Sequence, residues 1–416
     1  MVCSDHFGGW AVTKGSRRSV LRVALLAAAA FVALAPVAAS AQQALPEKLI
    51  IGGVASKTGA GSVMGVAVET GLNMAVEEIN ANGGIAGKQV EVRIADTQSD
   101  PTAASNETKR LIFEAGAQML IGPSVSQEAL PSAVVSTQAK VIQLTTAGTL
   151  DLTPEVAPYH FAFQWSAQAQ AIAMADYAVK VLGSKAPAIL ADNGGQSKSG
   201  VVALHERLKE LGVNPVGEQE FPFRVDDMTP QVLSLRRAGA DAVLFFASTI
   251  EDTTKVVTTT SDLSWDVPIV GQGSVAVYAA QVAAKLGPDA LKNVVGEAYP
   301  GMTYCPSDAV GGSEYAKFLV RLKAYAPDVV DKVPNSMIAH YYAMAYILKT
   351  AIEATGTVDG PTLTAWIEEN AAQIPVMHGV PGASKTSHFL FGPESVQMVT
   401  DPQILREDGL IARASC

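Results

Sequence analysis

The sequence predicts an α/β protein built as two similar lobes, each a parallel sheet flanked by helices. Apolar strands alternate with helical patterns along most of the chain, which is the signature of βαβ units. The units number about twice what one small sheet needs. Neither a tandem short repeat nor a long low-complexity linker interrupts them.

The first unit is compressed into Leu49 to Pro101. Leu49-Ile50-Ile51-Gly52-Gly53-Val54 reads as an apolar strand and runs into a Gly/Ser turn. Val68, Leu72, Ala75, Val76 and Ile79 then fall at helical spacing, with Glu69, Glu77 and Glu78 mostly on the opposite side, so one face is buried and one solvated. Asn82-Gly83-Gly84 ends that helix. Val90, Val92 and Ile94 alternate as a strand, and Asp100 caps the next helix with Pro101 at its first position. Further strands are legible at Met119 to Ile121, Val141 to Leu144, Ala188 to Ala191, Ala242 to Phe246, Pro268 to Val270 and Val294 to Ala298. Helices are expected at 127–139, 168–182, 198–212, 229–238, 250–263 and 276–286.

Ahead of these units stands an export signal. Lys14, Arg17, Arg18 and Arg22 form a basic segment, Val23 to Leu34 an apolar one, and Ala39-Ser40-Ala41 a small-residue cleavage site. The apolar run is shorter than the ~20 residues a membrane span needs, so cleavage after Ala41 is expected, with an uncleaved anchor as the alternative. Arg17-Arg18 fits either the general or the twin-arginine route. No Cys closely follows the apolar run to carry a lipid, so a freely soluble periplasmic protein is expected.

Loss of residues 1–41 leaves 375 residues with 26 Lys+Arg against 39 Asp+Glu, a net charge of −13. That acidity argues against nucleic acid and anionic membranes as partners. The length suits two domains, each with its own core. Cys305 and Cys416 remain, in an oxidising compartment, either bonded or as two free thiols.

The residues also carry a resemblance. Leu49 to Val54, Thr58-Gly59, Ala75-Val76-Glu77-Glu78-Ile79-Asn80-Ala81-Asn82-Gly83-Gly84, Ala95-Asp96-Thr97-Gln98-Ser99-Asp100-Pro101, Ile121-Gly122-Pro123 and Ala175-Asp176-Tyr177-Ala178 together resemble the branched-chain amino-acid-binding family of periplasmic receptors, which feed ABC importers. The likeness runs from about Leu49 to about Ala298 and weakens beyond. It implies a type I periplasmic binding protein fold: two α/β lobes, a ligand cleft and a hinge of three segments. It places lobe one at 47–162 plus 299–372 and lobe two at 163–298 plus 373–416. The implied partners are a small-molecule solute and a membrane permease, and a monomer is expected.

Site residues follow from the same resemblance. Ser126 stands where the family holds a ligand carboxylate, with Gln127 beginning a helix whose free N–H groups suit an anion; Ser126 or Ser124 could instead simply cap that helix. Thr146 lies in the second carboxylate loop, where the usual hydroxyl position reads Gly148 and Thr149 replaces it only with a one-residue shift. The acid expected opposite an ammonium reads Gly273, in Gly271-Gln272-Gly273-Ser274. Glu251 or Asp252 could substitute, or serve as first-turn acids of a helix. A buried ammonium without a countercharge is costly, so an amine-free aromatic or aliphatic acid gains weight beside an amino acid. Met64, Gln196 or Ser197, Thr249 and Ser336 stand where aromatic contacts are common in the family, leaving room for a larger solute. Phe163 and Trp165, at the first crossover, could stack on a ligand or pack the hinge.

Competing chemistry is thin. Gly271-Gln272-Gly273-Ser274-Val275-Ala276 matches G-x-G-x-x-A with Glu297 downstream, but it follows a late strand, and an exported protein meets no nicotinamide pool. His160, His205, His340, His378 and His388 lack metal-ligand spacing, and no hydrolase nucleophile motif stands out. The expectation is a receptor that closes on a carboxylate-bearing solute, not an enzyme, with no cofactor or metal. A sensory binding protein of the same fold is the alternative.

Overall fold

The computed structural model describes residues 45–416 apart from 60 and 331. The expected signal at 1–41 lies outside the described residues. In chain order the first sheet and its helices are β1 (Lys48–Ala55), α1 (Ser62–Ala81), β2 (Gln89–Asp96), α2 (Pro101–Phe113), β3 (Met119–Ile121), α3 (Ser126–Ala139), β4 (Ile142–Thr145) and β5 (His160–Trp165). The second comprises α4 (Ala167–Asp176), β6 (Pro187–Asp192), α5 (Gly195–Glu210), β7 (Gly217–Phe221), α6 (Thr229–Arg237), β8 (Ala242–Phe246), α7 (Ile250–Asp262), β9 (Ile269–Gly271), α8 (Gly273–Leu286) and β10 (Val294–Ala298). There follow β11 (Thr303–Tyr304), α9 (Glu314–Tyr325), α10 (Asn335–Thr355), α11 (Gly360–Asn370), β12 (Phe389–Phe391), β13 (Gln397–Thr400) and β14 (Ile411–Ala412).

Both large sheets have one plan. The first runs β12-β5-β4-β3-β1-β2 and the second β13-β10-β9-β8-β6-β7, parallel throughout except that β13 is antiparallel to β10. In each lobe the opening strand is flanked by the next two, so strand order reverses beside β1 and again beside β6. An open α/β sheet binds ligands at such a reversal, beyond the carboxyl ends of its strands.

The expected placement of 373–416 entirely in lobe two is corrected: β12 pairs with β5 in the first sheet, and only β13 joins the second. Edge strands of three and four residues give too short a period to read from sequence. The chain therefore passes between the sheets three times, after β5, after β10 and between β12 and β13.

Local chemistry explains the first lobe. Asp100 caps α2 by accepting the Ala103 N–H at 2.7 Å, with Pro101 at the first position. The buried face of α1 includes Val68, Leu72, Ala75 and Ile79, and the helix packs against both the first sheet and α10. Gly71 permits that approach, since a Cβ there would lie 2.3 Å from the Ile338 carbonyl oxygen. Gly122, at φ +88°, lets the chain leave β3 where a Cβ would stand 2.1 Å from the Val54 carbonyl oxygen.

The second lobe adds two differences. The helix expected over 168–182 is α-helical only to Asp176 and continues as a π-helical turn, Tyr177–Val181. Cys305 and Cys416 form a disulfide, tying the C-terminal residue beside β11. Among the described residues no helix is long and apolar enough to cross a membrane.

Candidate functional site

A cavity of about 640 Å³ opens between the two sheets at the carboxyl ends of their strands. Met64 of α1 and Ser126 and Gln127 of α3 line it at the first reversal point; Gly194, Gln196 and Ser248 line it at the second. Each lobe thus presents the ends its topology prescribes.

In lobe one the α3 terminus is held from behind. Glu128, buried, accepts from Ser56 Oγ and Thr97 Oγ1, both at 2.7 Å, so the end of β1 and the turn after β2 fix the first turn of α3. Burial raises the Glu128 carboxyl above its ordinary range, against the pull of these two hydroxyls. Ser126 is the first helical residue, Val125 takes the cap position, and no side chain caps the helix. Ser124 Oγ is engaged with the Tyr341 hydroxyl at 2.6 Å. Neither serine caps α3, and the Ser126 hydroxyl makes no hydrogen bond within the described residues.

Thr146 lines the cavity, with its hydroxyl donated to the Ser124 carbonyl at 3.0 Å and 3.1 Å from the Tyr341 hydroxyl. Tyr341, from α10, therefore binds the two expected carboxylate loops together. Sequence reasoning missed it because α10 went unread, although Ile338, Tyr341, Ala345, Leu348 and Ile352 recur at helical spacing.

In lobe two, Asp192 at the end of β6 accepts the Gly194 amide at 2.8 Å and the Ser248 amide at 2.9 Å, stapling two cavity loops to one strand end. Its burial pushes the carboxyl up. The helix expected from 198 begins at Gly195, which places Gln196 in the first turn of α5 and against lobe one. A Cβ on Gly148 would stand 2.7 Å from the Gln196 side chain. The glycine at the usual hydroxyl position is thus what lets Gln196 seat across the cleft.

Of the ten expected residues, Met64, Ser126, Gln127, Thr146, Trp165, Gln196 and Gly273 line the cavity, and Gly148, Thr149 and Thr249 do not. Thr149 donates to Asp151 at 2.9 Å, and Thr249 caps α7 by accepting the Asp252 N–H at 3.0 Å. Asp252 in turn accepts the Arg224 and Val225 amides at 3.2 and 3.1 Å, and Glu251 pairs with Arg224, so both acids belong to the α7 terminus. Aromatic walls come from other positions: Tyr278, Tyr299 and Tyr315 line the cavity together with Trp165.

Trp165 joins all three crossovers. Its ring, 1% exposed, stacks on Tyr299 with centroids 3.9 Å apart, and its indole N–H donates to Ser395 Oγ at 2.7 Å. Phe163 packs edge-on against His378 and Phe391 and lies outside the cavity lining. Both aromatics are hinge packing, and Trp165 also faces the cavity.

No side chain stands at Gly273, where a Cβ would meet Trp165 Cζ3 at 3.3 Å and Gln170 Oε1 at 3.5 Å. The buried acid lies one strand over. Glu297, on β10, lines the cavity, is 1% exposed, and has no hydrogen-bond partner for either carboxylate oxygen. Sequence reasoning noted it only as part of a nucleotide motif; the better signal was one acid inside an apolar strand, Val-Val-Gly-Glu-Ala. No group of three or more potential metal ligands occurs among the described residues.

Fold and cleft together define a two-lobed binding protein. The family model described as periplasmic binding protein matches residues 48–396, and the chain belongs to that family. Relatives include the Leu/Ile/Val-binding protein BraC3 of Rhizobium johnstonii, 23% identical over 80% of this chain and 86% of the relative. The Leu/Ile/Val-binding protein homolog 3 of Brucella melitensis is 28% identical over 54% of this chain, and an amino acid binding protein of Pseudomonas aeruginosa 28% over 47%. These last two matches span 60% and 53% of the relatives' own lengths.

Solved structures agree on the fold. The branched-chain amino acid transporter substrate binding protein LivJ of Streptococcus pneumoniae, in complex with isoleucine, superposes with TM-score 0.71 at 19% identity, covering 88% of this chain and 97% of that one. An ABC transporter solute binding protein of R. palustris, in complex with 4-hydroxybenzoate, gives 0.75 at 20% identity, covering 88% and 95%.

Proposed function

We propose that the protein is the periplasmic solute receptor of an ABC importer, binding a small carboxylate-bearing solute, an amino acid or an amine-free aromatic or aliphatic acid. It acts as a monomer, closes its lobes about the three crossovers and docks on a membrane permease; it turns nothing over. One observation carries this reading: Ser126 presents a hydroxyl with no other partner in the first turn of α3, where free backbone N–H groups face the cavity. Family membership and relatives named for amino-acid or 4-hydroxybenzoate binding support the same class of solute.

Native mass spectrometry of the purified protein, followed by calorimetric titration, tests it. A carboxylate should bind one to one without turnover. Ser126→Ala should weaken that binding by about 1–3 kcal/mol. It should leave the melting temperature nearly unchanged, because no capping bond is lost. Carboxylate affinity unaffected by the substitution contradicts the assignment.

A further inference from the structure

The cavity extends well past the site assigned to the carboxylate. Helix α8 lines it along nearly its whole length, from Gly273 in the first turn through Val277, Ala280 and Ala284 to Lys285 in the last. Those twelve steps of helix cover about 18 Å. Val277, Ala280 and Ala284 fall on one face, and the two alanines are exposed there, while Val275, Ala279 and Val282 bury the other face in lobe two. A core-packing helix ordinarily turns charged or polar groups outward, and here the outward stripe is apolar.

Lobe one supplies a matching wall. Tyr315 and Leu319, one turn apart on α9, line the same cavity, as do Met302 after the second crossover and Met337 at the start of α10. The C-terminal tail closes this arm with Pro402 and Leu405. That tail is a built wall. Arg406 donates to the Asp308 carbonyl at 2.9 Å and pairs with Asp408, which also accepts the Gly311 amide at 2.7 Å. Gly409 lies directly on Leu319, where a Cβ would stand 2.3 Å from Cδ1, and the Cys305–Cys416 disulfide holds the end of the segment.

The whole cavity, about 640 Å³, has the size that accommodates a drug-sized molecule. An amino acid or a single-ring acid seated at Ser126 would leave the α8–α9 arm to water, and apolar surface left wet contributes nothing to affinity.

We propose that this arm is a second compartment of the solute site and takes an extended apolar chain. The solute is then an amphiphilic acid, with its carboxylate at Ser126 and a hydrocarbon body of about ten carbons or more along α8, since an extended chain advances ~1.2 Å per bond. Only the head group rests on the carboxylate reading; the arm stands on the apolar walls of α8, α9 and the tail.

The test is a homologous series, butanoate, hexanoate, octanoate, decanoate and dodecanoate, titrated calorimetrically into the purified protein. Affinity should climb to the longest member, by about two- to fourfold per methylene buried. Ala280→Phe fills the arm from an exposed helix face and should lower dodecanoate affinity relative to butanoate by about tenfold or more. Val202→Phe, exposed on α5 and outside the cavity lining, should leave the series as in the wild type. Affinity that stops rising after hexanoate, or an Ala280→Phe series that parallels the wild type, overturns the arm and leaves the carboxylate reading standing. Dodecanol binding as tightly as dodecanoate, with Ser126→Ala silent, overturns the carboxylate reading and leaves the arm. No binding by any alkanoate overturns the arm, and if L-leucine and 4-hydroxybenzoate also fail, the carboxylate reading falls with it. The wild-type series decides the matter even if a variant does not fold.

Discussion

At the scale of single residues, the cavity lining and its backing divide into side chains that tie loops together and side chains that do not. Tyr341, Glu128 and Asp192 spend their polar atoms on neighbouring loops. Ser126 and Glu297 do not. Trp165 belongs to the first kind, and two substitutions separate its roles. Trp165→Phe keeps a ring over Tyr299 but removes the indole bond to Ser395, at a cost of about 1 kcal/mol. Trp165→Ala also loses the stack and leaves a void, at about 3–5 kcal/mol. Denaturant unfolding of both variants checks the order, and equal losses would contradict the three-way junction. Cavity-lining residues were legible where a motif fixes the loop, as at Ser126 and Thr146. They were illegible where the decisive group acts across the fold: Tyr341 lies about two hundred residues from its partners, a separation no local pattern encodes.

At the scale of elements, periodicity located every strand it could resolve, from Met119–Ile121 to Val294–Ala298. It failed where runs were short, as in β12 and β13, where a strand is mostly polar, as in β7 with Gly-Glu-Gln-Glu-Phe, and at β5, whose aromatic stretch His160–Trp165 leads straight into the first crossover. Helix starts also shifted: α5 and α8 begin three residues before their apolar patterns, because a first turn can be Gly, Ser and Gln without losing its hydrogen bonds. The contact of α1 with α10 gives a sharper test. Gly71→Ala adds one methyl against the Ile338 carbonyl and Tyr341 Cβ, so the helices must part. Overpacking of this kind costs about 1–3 kcal/mol. Since α10 carries Tyr341, solute affinity should fall as well. A thermal melt and a titration on the same variant measure both, and a neutral melt would contradict the close approach.

At the scale of the molecule, buried histidines link stability to pH. Burial lowers His160 and His340 to about 3, and His378 well below its ordinary value. The unfolded chain protonates these rings near 6.5 while the folded one keeps them neutral, so their contribution is present above that pH and is lost as pH falls toward 3. Buried Glu128, Asp192 and Asp252 are shifted upward and act with the opposite sign, so the informative quantity is a difference between proteins. Relative to the wild type, His340→Gln should gain about 1.4 kcal/mol for each pH unit below 6.5. Urea unfolding at pH 6.5, 5.5 and 4.5 reads this out, and parallel curves for the two proteins would contradict a neutral His340.

The tail that crosses last has a further consequence. β12 closes the outer edge of the first sheet and β13 that of the second, and the residue that ends the chain is bonded back to Cys305. No single cut separates the lobes, because each takes its outer strand from the segment 389–400. A nascent chain therefore carries two open sheet borders until residues 389–400 are made, and the two sheets are closed within a dozen residues of each other.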